Sequence, residues 1–319
     1  MMCDIKEILA RKTVFVTGAT GLIGSALCRA LLENGAKVVA FARSREKAEA
    51  ILPKDVIVSI GDVVRPVEYA GDVDYIVHAA CPTASKEFGD HPVEIMDVIS
   101  KSAFNVLEFA KTKNVSGLVY LSTMEAYGLT DSEDVRETMT TAPDAMVPRN
   151  CYPVAKRFAE CLFASAAKEY GVSTKVARLT QTFGHGVGKN DQRVFAQFAR
   201  AAKEGRDIVL KSDGSTARCY CAIDDAVDAI MAIMVNGEVG KAYNVANPDT
   251  YCTIRQMAEF VAEKFSGGHT KVIIDKSDAE KCGYLPPYRM NLNVDRLKGL
   301  GWKPTKGLEE MFMEVIDGL

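Results

Sequence analysis

The feature that most constrains this chain is a short glycine pattern near its start, TGATGLIG at Thr17–Gly24. A β-branched run, Lys12–Gly18, precedes it, and a helical pattern over Ile23–Asn34 follows it. The first glycine permits a tight turn, the second lets the backbone approach a pyrophosphate, and the third lets the helix pack on the strand. The pattern therefore predicts a dinucleotide-binding turn formed by Gly18, Thr20, Gly21, Leu22, Ile23 and Gly24.

Strand and helix patterns continue to alternate up to about residue 180. The strands are apolar throughout, which is typical of a parallel sheet covered by helices on both faces. We therefore expect an α/β fold, a Rossmann doubly wound parallel sheet. Its further strands are predicted at Lys37–Ala42, Val56–Asp62, Tyr75–Ala80, Gly117–Thr123 and Thr174–Thr180, and its helices at Val93–Thr112 and Pro153–Tyr170.

After Thr180 the loops lengthen and the regular alternation of strands and helices ends. A helix over Arg193–Glu204, an acidic helix over Ile223–Met234 and a strand at Ala242–Asn247 are predicted there. This change predicts a smaller C-terminal α/β substrate-binding domain. We assign residues 1–180 and 219–246 to the dinucleotide-binding domain, and residues 181–218 and 247–319 to the smaller one.

Composition excludes several classes of function. The 319 residues carry a net charge of -3, which disfavours a nucleic-acid partner because phosphate binding needs a basic face. No apolar run reaches about 18 residues, so we expect no membrane span. The N-terminal segment carries acids and does not resemble a signal peptide. The 9 cysteines and 4 histidines lack metal-ligand spacing, which predicts no metal and free thiols in a cytoplasmic protein.

The residues after the second strand bear on the choice of cofactor. Ala42 stands where an acidic residue would bind the ribose 2′-hydroxyl of NAD, and Arg43 and Arg45 follow it. A guanidinium pairs well with a 2′-phosphate, so the pattern favours NADP over NAD; the alternative is a solvated basic loop. Further cofactor contacts are expected from the ends of strands three and four, at Asp62, Val63, Ala79 and Ala80.

A tyrosine and a lysine open the helix that begins near residue 153. Tyr152 and Lys156 are four residues apart and share a helix face. A neighbouring ammonium lowers a phenol pKa, so Tyr152 is predicted to be the catalytic acid and base, while Lys156 also holds the cofactor ribose. Thr123, at the end of a strand, is predicted to bridge a substrate oxygen to the phenol. The alternative is an ordinary helix surface.

Taken together, the motifs resemble the extended short-chain dehydrogenase/reductases, the NAD(P)-dependent nucleotide-sugar epimerase/dehydratase group. The resemblance implies hydride transfer at the sugar C4 while the tyrosine takes the hydroxyl proton, and a homodimer formed through helices 93–112 and 153–170. It extends from Thr13 to about Leu308 and rests on TGATGLIG, GDV, HAA, LSTMEAYG, YPVAK, RLTQTFG, GSTAR, IDD and AYNVAN.

The resemblance also gives a role to the segment Thr182–Val194, which would grip the diphosphate of a nucleotide-linked sugar. Gln181 stands at the family's usual asparagine. Arg193 and Arg218 are the expected phosphate partners, because a guanidinium binds two oxygens at once. The alternative is that both arginines form surface salt bridges.

The nearest sub-pattern is that of the UDP-glucuronate decarboxylases, which CYPVAKRFAE at Cys151–Glu160 resembles. It implies a role for Glu125 near C5 and C6 of the sugar, against the alternative of a helix-cap or surface acid. Met124, at the usual aspartate of the dehydratases, argues against 4,6-dehydration. Two alternatives stay open: an NADPH-dependent nucleotide-4-ketosugar reductase, which Ala42 and Arg43 favour, and a non-catalytic nucleotide sensor.

Overall fold

The computed structural model describes residues 5–276 and 286–319. Its helices are α1 (Ile5–Leu9), α2 (Leu22–Glu33), α3 (Arg45–Ile51), α4 (Ser85–Asp90), α5 (Pro92–Lys113), α6 (Cys151–Tyr170), α7 (Val194–Lys203), α8 (Ile223–Asn236), α9 (Ile254–Phe265), α10 (Asp295–Lys298) and α11 (Leu308–Gly318). Its strands are β1 (Thr13–Thr17), β2 (Lys37–Ala42), β3 (Ile57–Ile60), β4 (Tyr75–His78), β5 (Gly117–Thr123), β6 (Asp131–Val135), β7 (Thr174–Leu179), β8 (Gln181–Phe183), β9 (Ile208–Leu210), β10 (Ala217–Ala222), β11 (Ala242–Val245), β12 (Asn247–Thr253), β13 (Val272–Ile274) and β14 (Arg289–Leu292).

The larger sheet is parallel, in the order β11-β7-β5-β4-β1-β2-β3. Helices α2 and α8 pack on one face and α5 and α6 on the other, with buried apolar side chains between each pair and the sheet. The predicted doubly wound Rossmann sheet is thereby confirmed. The strand order reverses between β1 and β4, and a crevice forms at the carboxyl ends of the strands at such a point.

A smaller sheet has the order β12-β10-β14-β6, and β8 also pairs with β10. One strand departs from the predicted domain division: β6 lies within residues 1–180 but pairs with β14 in this second sheet. Its sequence, DSEDV, is too acidic to have shown a strand pattern. The predicted boundary after residue 218 also falls inside β10.

Neither a membrane-spanning helix nor a metal site is present among the described residues. Within 5–276 and 286–319, no helix is both long enough and apolar enough to cross a membrane. No group of three or more histidine, cysteine, aspartate or glutamate side chains there is placed to hold a metal ion.

Candidate functional site

The glycine turn brings backbone atoms too close together for larger residues. Gly18 has a φ of +69°, and a Cβ added there would lie 2.6 Å from the amide nitrogen of Ala80. A Cβ at Gly24 would lie 2.2 Å from the carbonyl oxygen of Gly18. The first and third glycines are therefore required by the approach of β1 to β4 and of α2 to β1.

Helix α2 starts directly after this turn and presents its N-terminus to the crevice. Gly21 is its N-cap and provides no side-chain hydrogen bond, so backbone N–H groups of the first turn are left without intrahelical acceptors. These groups and the helix dipole favour an anion. Leu22 and Ile23 open the helix and Thr20 lies half-buried in the turn, so the arrangement fits a dinucleotide pyrophosphate.

The residues after β2 lie at the edge of this cradle. Ala42 is buried and Arg43 is exposed. Arg45 is engaged elsewhere: its Nη1 is 3.5 Å from Glu49 Oε1, and its Nη2 donates to the carbonyl of Val58 at 3.5 Å. Of the two arginines predicted to bind a 2′-phosphate, the structure leaves Arg43 as the one without an ion pair among the described residues.

The other predicted cofactor contacts lie at the carboxyl ends of neighbouring strands. Asp62 accepts a hydrogen bond from the amide of Val64 at 3.2 Å, so its carboxylate is partly used by its own turn. The carbonyl of Val63 accepts one from the side chain of Asn105 at 2.8 Å. Ala79–Ala80, half-buried, lie against Gly18 as described above.

A buried histidine fixes the end of β4 against that of β1. Thr17 Oγ1 accepts a hydrogen bond from the amide of Ala80 at 3.2 Å and lies 2.8 Å from His78 Nδ1. Burial lowers the pKa of His78 to about 3, and the charge of Lys156 acts in the same direction. His78 is therefore neutral at ordinary pH and serves as a hydrogen-bond partner of Thr17.

Tyr152 lies in the first turn of α6, and its ring stacks on that of Phe88 with centroids 4.4 Å apart and planes at 6°. Burial raises the pKa of the phenol well above its ordinary value, Cys81 and Glu125 act in the same direction, and the Thr123 side chain opposes them. These influences place the phenol near the end of β5 and near the loop that follows β4.

Lys156 is buried, and its Nζ donates to the carbonyl of Leu121 on β5 at 2.7 Å. The ammonium lies 5.8 Å from the ring centre of Tyr152 and 4.7 Å from that of Tyr120. The predicted lowering of the Tyr152 pKa is not found, because burial dominates. In this structure the phenol is a proton donor.

Glu125 is accompanied by an arginine that sequence reasoning missed. Arg149 Nη1 lies 3.9 Å from Glu125 Oε2, beyond hydrogen-bonding distance, and it is buried with no hydrogen-bond partner among the described residues. The guanidinium also lies 5.1 Å from the ring centre of Phe88. Burial raises the pKa of Glu125, while Arg149 and Arg218 act to lower it. The available signal was the position of Arg149, three residues before Tyr152.

Arg218 projects from β10 towards the same carboxylate. Its Nη1 donates to the hydroxyl of Tyr288 at 3.0 Å, and its Nε is buried without a partner in the described part of the chain. Glu125 is electrostatically coupled to both Arg218 and Arg149. Two guanidinium groups with unused donors thus surround one site. Tyr288 was also missed, because it follows two prolines in a stretch with no periodic pattern.

Arg193 is held differently. Its side chain pairs with Asp191, with Nε 3.0 Å from Oδ1 and Nη2 2.5 Å from Oδ2, and lies 4.8 Å from the ring centre of Phe195. The salt bridge named as the alternative is present for this residue, and its role as a phosphate partner together with Arg218 stays a prediction. Gln181 begins β8 half-buried, opposite Tyr220 of β10.

Known proteins similar to this chain include sugar-nucleotide enzymes. UDP-glucuronic acid decarboxylase 1 of Xenopus tropicalis is 29% identical over 307 residues, which are 94% of this chain and 70% of that protein. UDP-glucuronic acid decarboxylase 1 of Arabidopsis thaliana is 28% identical over 306 residues, 94% of this chain and 68% of that protein.

Among solved structures, UDP-glucose 4-epimerase of Thermotoga maritima superposes with a TM-score of 0.80 at 22% identity, covering 96% of this chain and 98% of that one. UDP-N-acetylglucosamine 4-epimerase of Methanobrevibacter ruminantium gives 0.83 at 19% identity, covering 97% and 98%. These two share the fold. The profile described as the NAD dependent epimerase/dehydratase family matches residues 14–246, well over half of the chain. The chain therefore belongs to this family, as an enzyme of the extended short-chain dehydrogenase/reductase type.

Proposed function

We propose that this enzyme oxidises the C4 carbinol of a nucleotide-linked uronic acid, removes the carboxyl group and reduces the ketone again. The observation that carries the proposal is that Thr123 and Tyr152 are both buried and close enough for Thr123 to influence the pKa of the phenol, near the loop that follows β4. A carbinol oxygen placed between the two hydroxyls would receive a hydrogen bond from each. The pair lies at the crevice where a dinucleotide fits.

The cofactor would be held by the glycine turn at Thr17–Gly24 and by the N-terminus of α2. When bound, it supplies reversible hydride exchange with the C4 carbon. We propose a preference for NADP(H), because Arg43 is exposed and uncommitted beside the buried Ala42. Titration of both dinucleotides tests this: Arg43→Ser should weaken NADP binding and spare NAD. A wild-type protein that binds NAD more tightly would contradict the preference.

Tyr152 moves the proton. As a neutral phenol it donates to the C4 ketone oxygen during reduction, and it must be deprotonated to accept the proton when the alcohol is oxidised. The ammonium of Lys156, 5.8 Å from the ring centre, would have to stabilise the phenolate against the opposing effect of burial. Thr123 holds the same oxygen and fixes its distance from the phenol.

Two guanidinium nitrogens without a hydrogen-bond partner among the described residues favour an acidic sugar. Arg218 has a free Nε suited to the diphosphate, and Arg149 has a free Nη1 beside Glu125, suited to a carboxylate at C6. A ketone at C4 is β to that carboxylate, so the C5–C6 bond can break with its electron pair moving onto the C4 oxygen. CO2 leaves, and C5 then takes a proton. Without loss of CO2, the same ketone supports epimerisation.

Substitution of the phenol tests the proposal directly. Tyr152→Phe should lower turnover of UDP-glucuronate by about 10²- to 10⁴-fold, because the proton donor is lost while the ring still stacks on Phe88. Binding of UDP, measured by calorimetry, should stay unchanged. Unaltered turnover in this variant would refute the assignment.

The second candidate is a nucleotide-4-ketosugar reductase, which the absence of an acid at Ala42 favours. The decarboxylase returns the hydride to the same sugar, so its cofactor is regenerated in each turnover and can stay bound. A reductase must exchange its oxidised cofactor after each turnover. Purified protein should therefore release bound nicotinamide on denaturation if the leading proposal holds. An empty protein that consumes NADPH with a 4-ketosugar would establish the reductase instead.

We also propose a homodimer formed through α5 and α6. These helices pack together, and Phe104 and Phe158 remain 47% and 43% exposed although their rings lie 5.9 Å apart. Exposed aromatic residues on adjacent helices are typical of an interface. Light scattering should give twice the chain mass, and Phe104→Glu should shift it towards the monomer. A monomeric wild-type protein at micromolar concentration would contradict this.

A further inference from the structure

A line of buried polar side chains leaves the catalytic helix and ends in the smaller sheet. Glu160 lies on α6, one turn after Lys156. Its Oε1 accepts a hydrogen bond from Ser122 Oγ of β5 at 2.5 Å. Lys156 binds the carbonyl of the preceding strand residue, Leu121, at 2.7 Å. Strand β5 is thus bound to two successive turns of α6 by buried hydrogen bonds.

The line continues from Glu160 through an arginine. Arg178 of β7 forms a two-pronged ion pair with Glu160, with Nε to Oε1 at 3.0 Å and Nη2 to Oε2 at 2.6 Å. Only 12% of the arginine side chain and 11% of the glutamate side chain are exposed. Buried ion pairs with this geometry resist displacement, because each partner left alone would be an unpaired charge.

From Arg178 the contacts cross to the second sheet. Its guanidinium lies 4.7 Å from the ring centre of Tyr127, whose hydroxyl donates to Asn244 Oδ1 at 2.7 Å. Asn244 Nδ2 donates to the carbonyl of Val135 on β6 and to that of Asn293 after β14, both at 2.9 Å. Tyr127 and Asn244 are fully buried.

We call these four residues the buried chain: Glu160, Arg178, Tyr127 and Asn244. Tyr127 also belongs to the short 3-10 helix, Met124–Tyr127, that carries Glu125. The buried chain therefore touches the helix with the phenol, the turn with the carboxylate and the strands of the smaller sheet. No atom of it is required by the chemistry proposed above.

We propose that Glu160 and Tyr127 are positioning residues: the buried chain holds the catalytic helix in register with the smaller sheet, so that the phenol meets the C4 oxygen of a bound sugar. The catalytic part of this inference rests on the proposed function, whereas the mechanical part does not. Misplacement of reacting groups by about 1 Å costs on the order of 100-fold in rate. We therefore expect a large kinetic effect from loss of a single hydroxyl in the chain.

The test compares Tyr127→Phe with Tyr243→Phe. Tyr243 lies on β11 next to Asn244, is equally buried, and its hydroxyl accepts one hydrogen bond, from the amide of Glu238 at 2.7 Å. Each variant removes one 2.7 Å hydrogen bond made by the hydroxyl of a buried tyrosine, so both should lower Tm by a similar amount. Tyr127→Phe should lower kcat on UDP-glucuronate by about 10- to 100-fold with KM within about twofold, whereas Tyr243→Phe should leave both unchanged.

Hydrogen exchange on the ligand-free protein gives a readout that does not need activity. Tyr127→Phe should speed exchange in residues 117–123 and 151–170, and Tyr243→Phe should affect only the region of β11. Glu160→Gln should lower kcat similarly, and the double variant Glu160→Gln with Tyr127→Phe should lose less than the product of the two effects.

The outcomes separate the two proposals. If Tyr127→Phe matches Tyr243→Phe in kcat and in exchange, the buried chain only stabilises the fold and the inference is wrong. If the wild-type protein turns over no nucleotide sugar, the proposed function fails and the exchange pattern alone decides whether the chain holds the catalytic helix.

Discussion

Two walls of the site present their charged groups in different ways. On the wall built by β5 and α6, Lys156 is buried and bound to a strand carbonyl, and Tyr152 is stacked on Phe88. On the wall built by β10 and the loop after β8, Arg218 Nε has no hydrogen-bond partner among the described residues, while Arg193 is held by Asp191. The first wall is set before any ligand arrives. The second wall has donors still available to a ligand, so we propose that it determines substrate selection.

The largest effect should come from the glycine turn, which belongs with the preset wall. Gly18 and Gly171 both have a φ of +69°, but a Cβ meets backbone only at Gly18, and nothing lies within 4 Å of one at Gly171. Gly18→Ala should abolish measurable dinucleotide binding. Gly171→Ala should cost about 1 kcal/mol of stability, from strain alone, and bind normally. Calorimetry measures dinucleotide binding, and urea unfolding measures the free energy of unfolding. Near-normal dinucleotide binding by Gly18→Ala would show that the turn does not have to adopt this geometry before the ligand binds.

An effect of intermediate size is expected for UDP affinity, which should depend on Arg218 more than on Arg193. Arg218→Met should weaken UDP binding by roughly 30-fold, in line with about 2 kcal/mol for a charge-assisted hydrogen bond. Arg193→Met should weaken it less than about threefold, because phosphate would first have to displace Asp191. Titration calorimetry of UDP distinguishes them. Equal losses would mean that the loop releases Arg193 when ligand binds.

The smallest effect concerns His78, behind the preset wall. Its pKa is about 3 in the folded protein and ordinarily 6.5, so the unfolded chain takes up a proton between these values. Its contribution to stability is complete above pH 6.5 and is lost as pH falls towards 3. Between pH 7.5 and 5.5 the wild type should lose about 1.4 kcal/mol more than His78→Asn in urea unfolding. An equal loss in both would show that the histidine is not buried neutral.

The sequence was informative where backbone geometry dictates residue type. The glycines at the first turn, the apolar strands of the larger sheet and the Tyr152–Lys156 spacing each follow from one local constraint, and the fold they predicted is confirmed. The acidic strand β6 was not predicted from the sequence, because its place at a sheet edge depends on β14, over 150 residues away. Arg149 was also not predicted, because its position beside Glu125 and Phe88 follows from packing that the sequence does not show. The state of the phenol was mispredicted, because burial depends on packing that spacing does not show.

The position of β6 has a consequence for how this enzyme can be rearranged. The strand lies in the sequence between β5, which ends with Thr123, and α6, which begins next to Tyr152. After Thr123 the chain leaves the larger sheet and forms an edge strand of the smaller sheet. It then returns to the larger sheet as α6, which carries Tyr152. A single crossover between relatives, or a split into two expressed halves, at any point between Thr123 and β14 would therefore separate β6 from β14 or the threonine from the tyrosine. Substrate range in such a protein is better altered by replacing side chains in place than by exchanging modules.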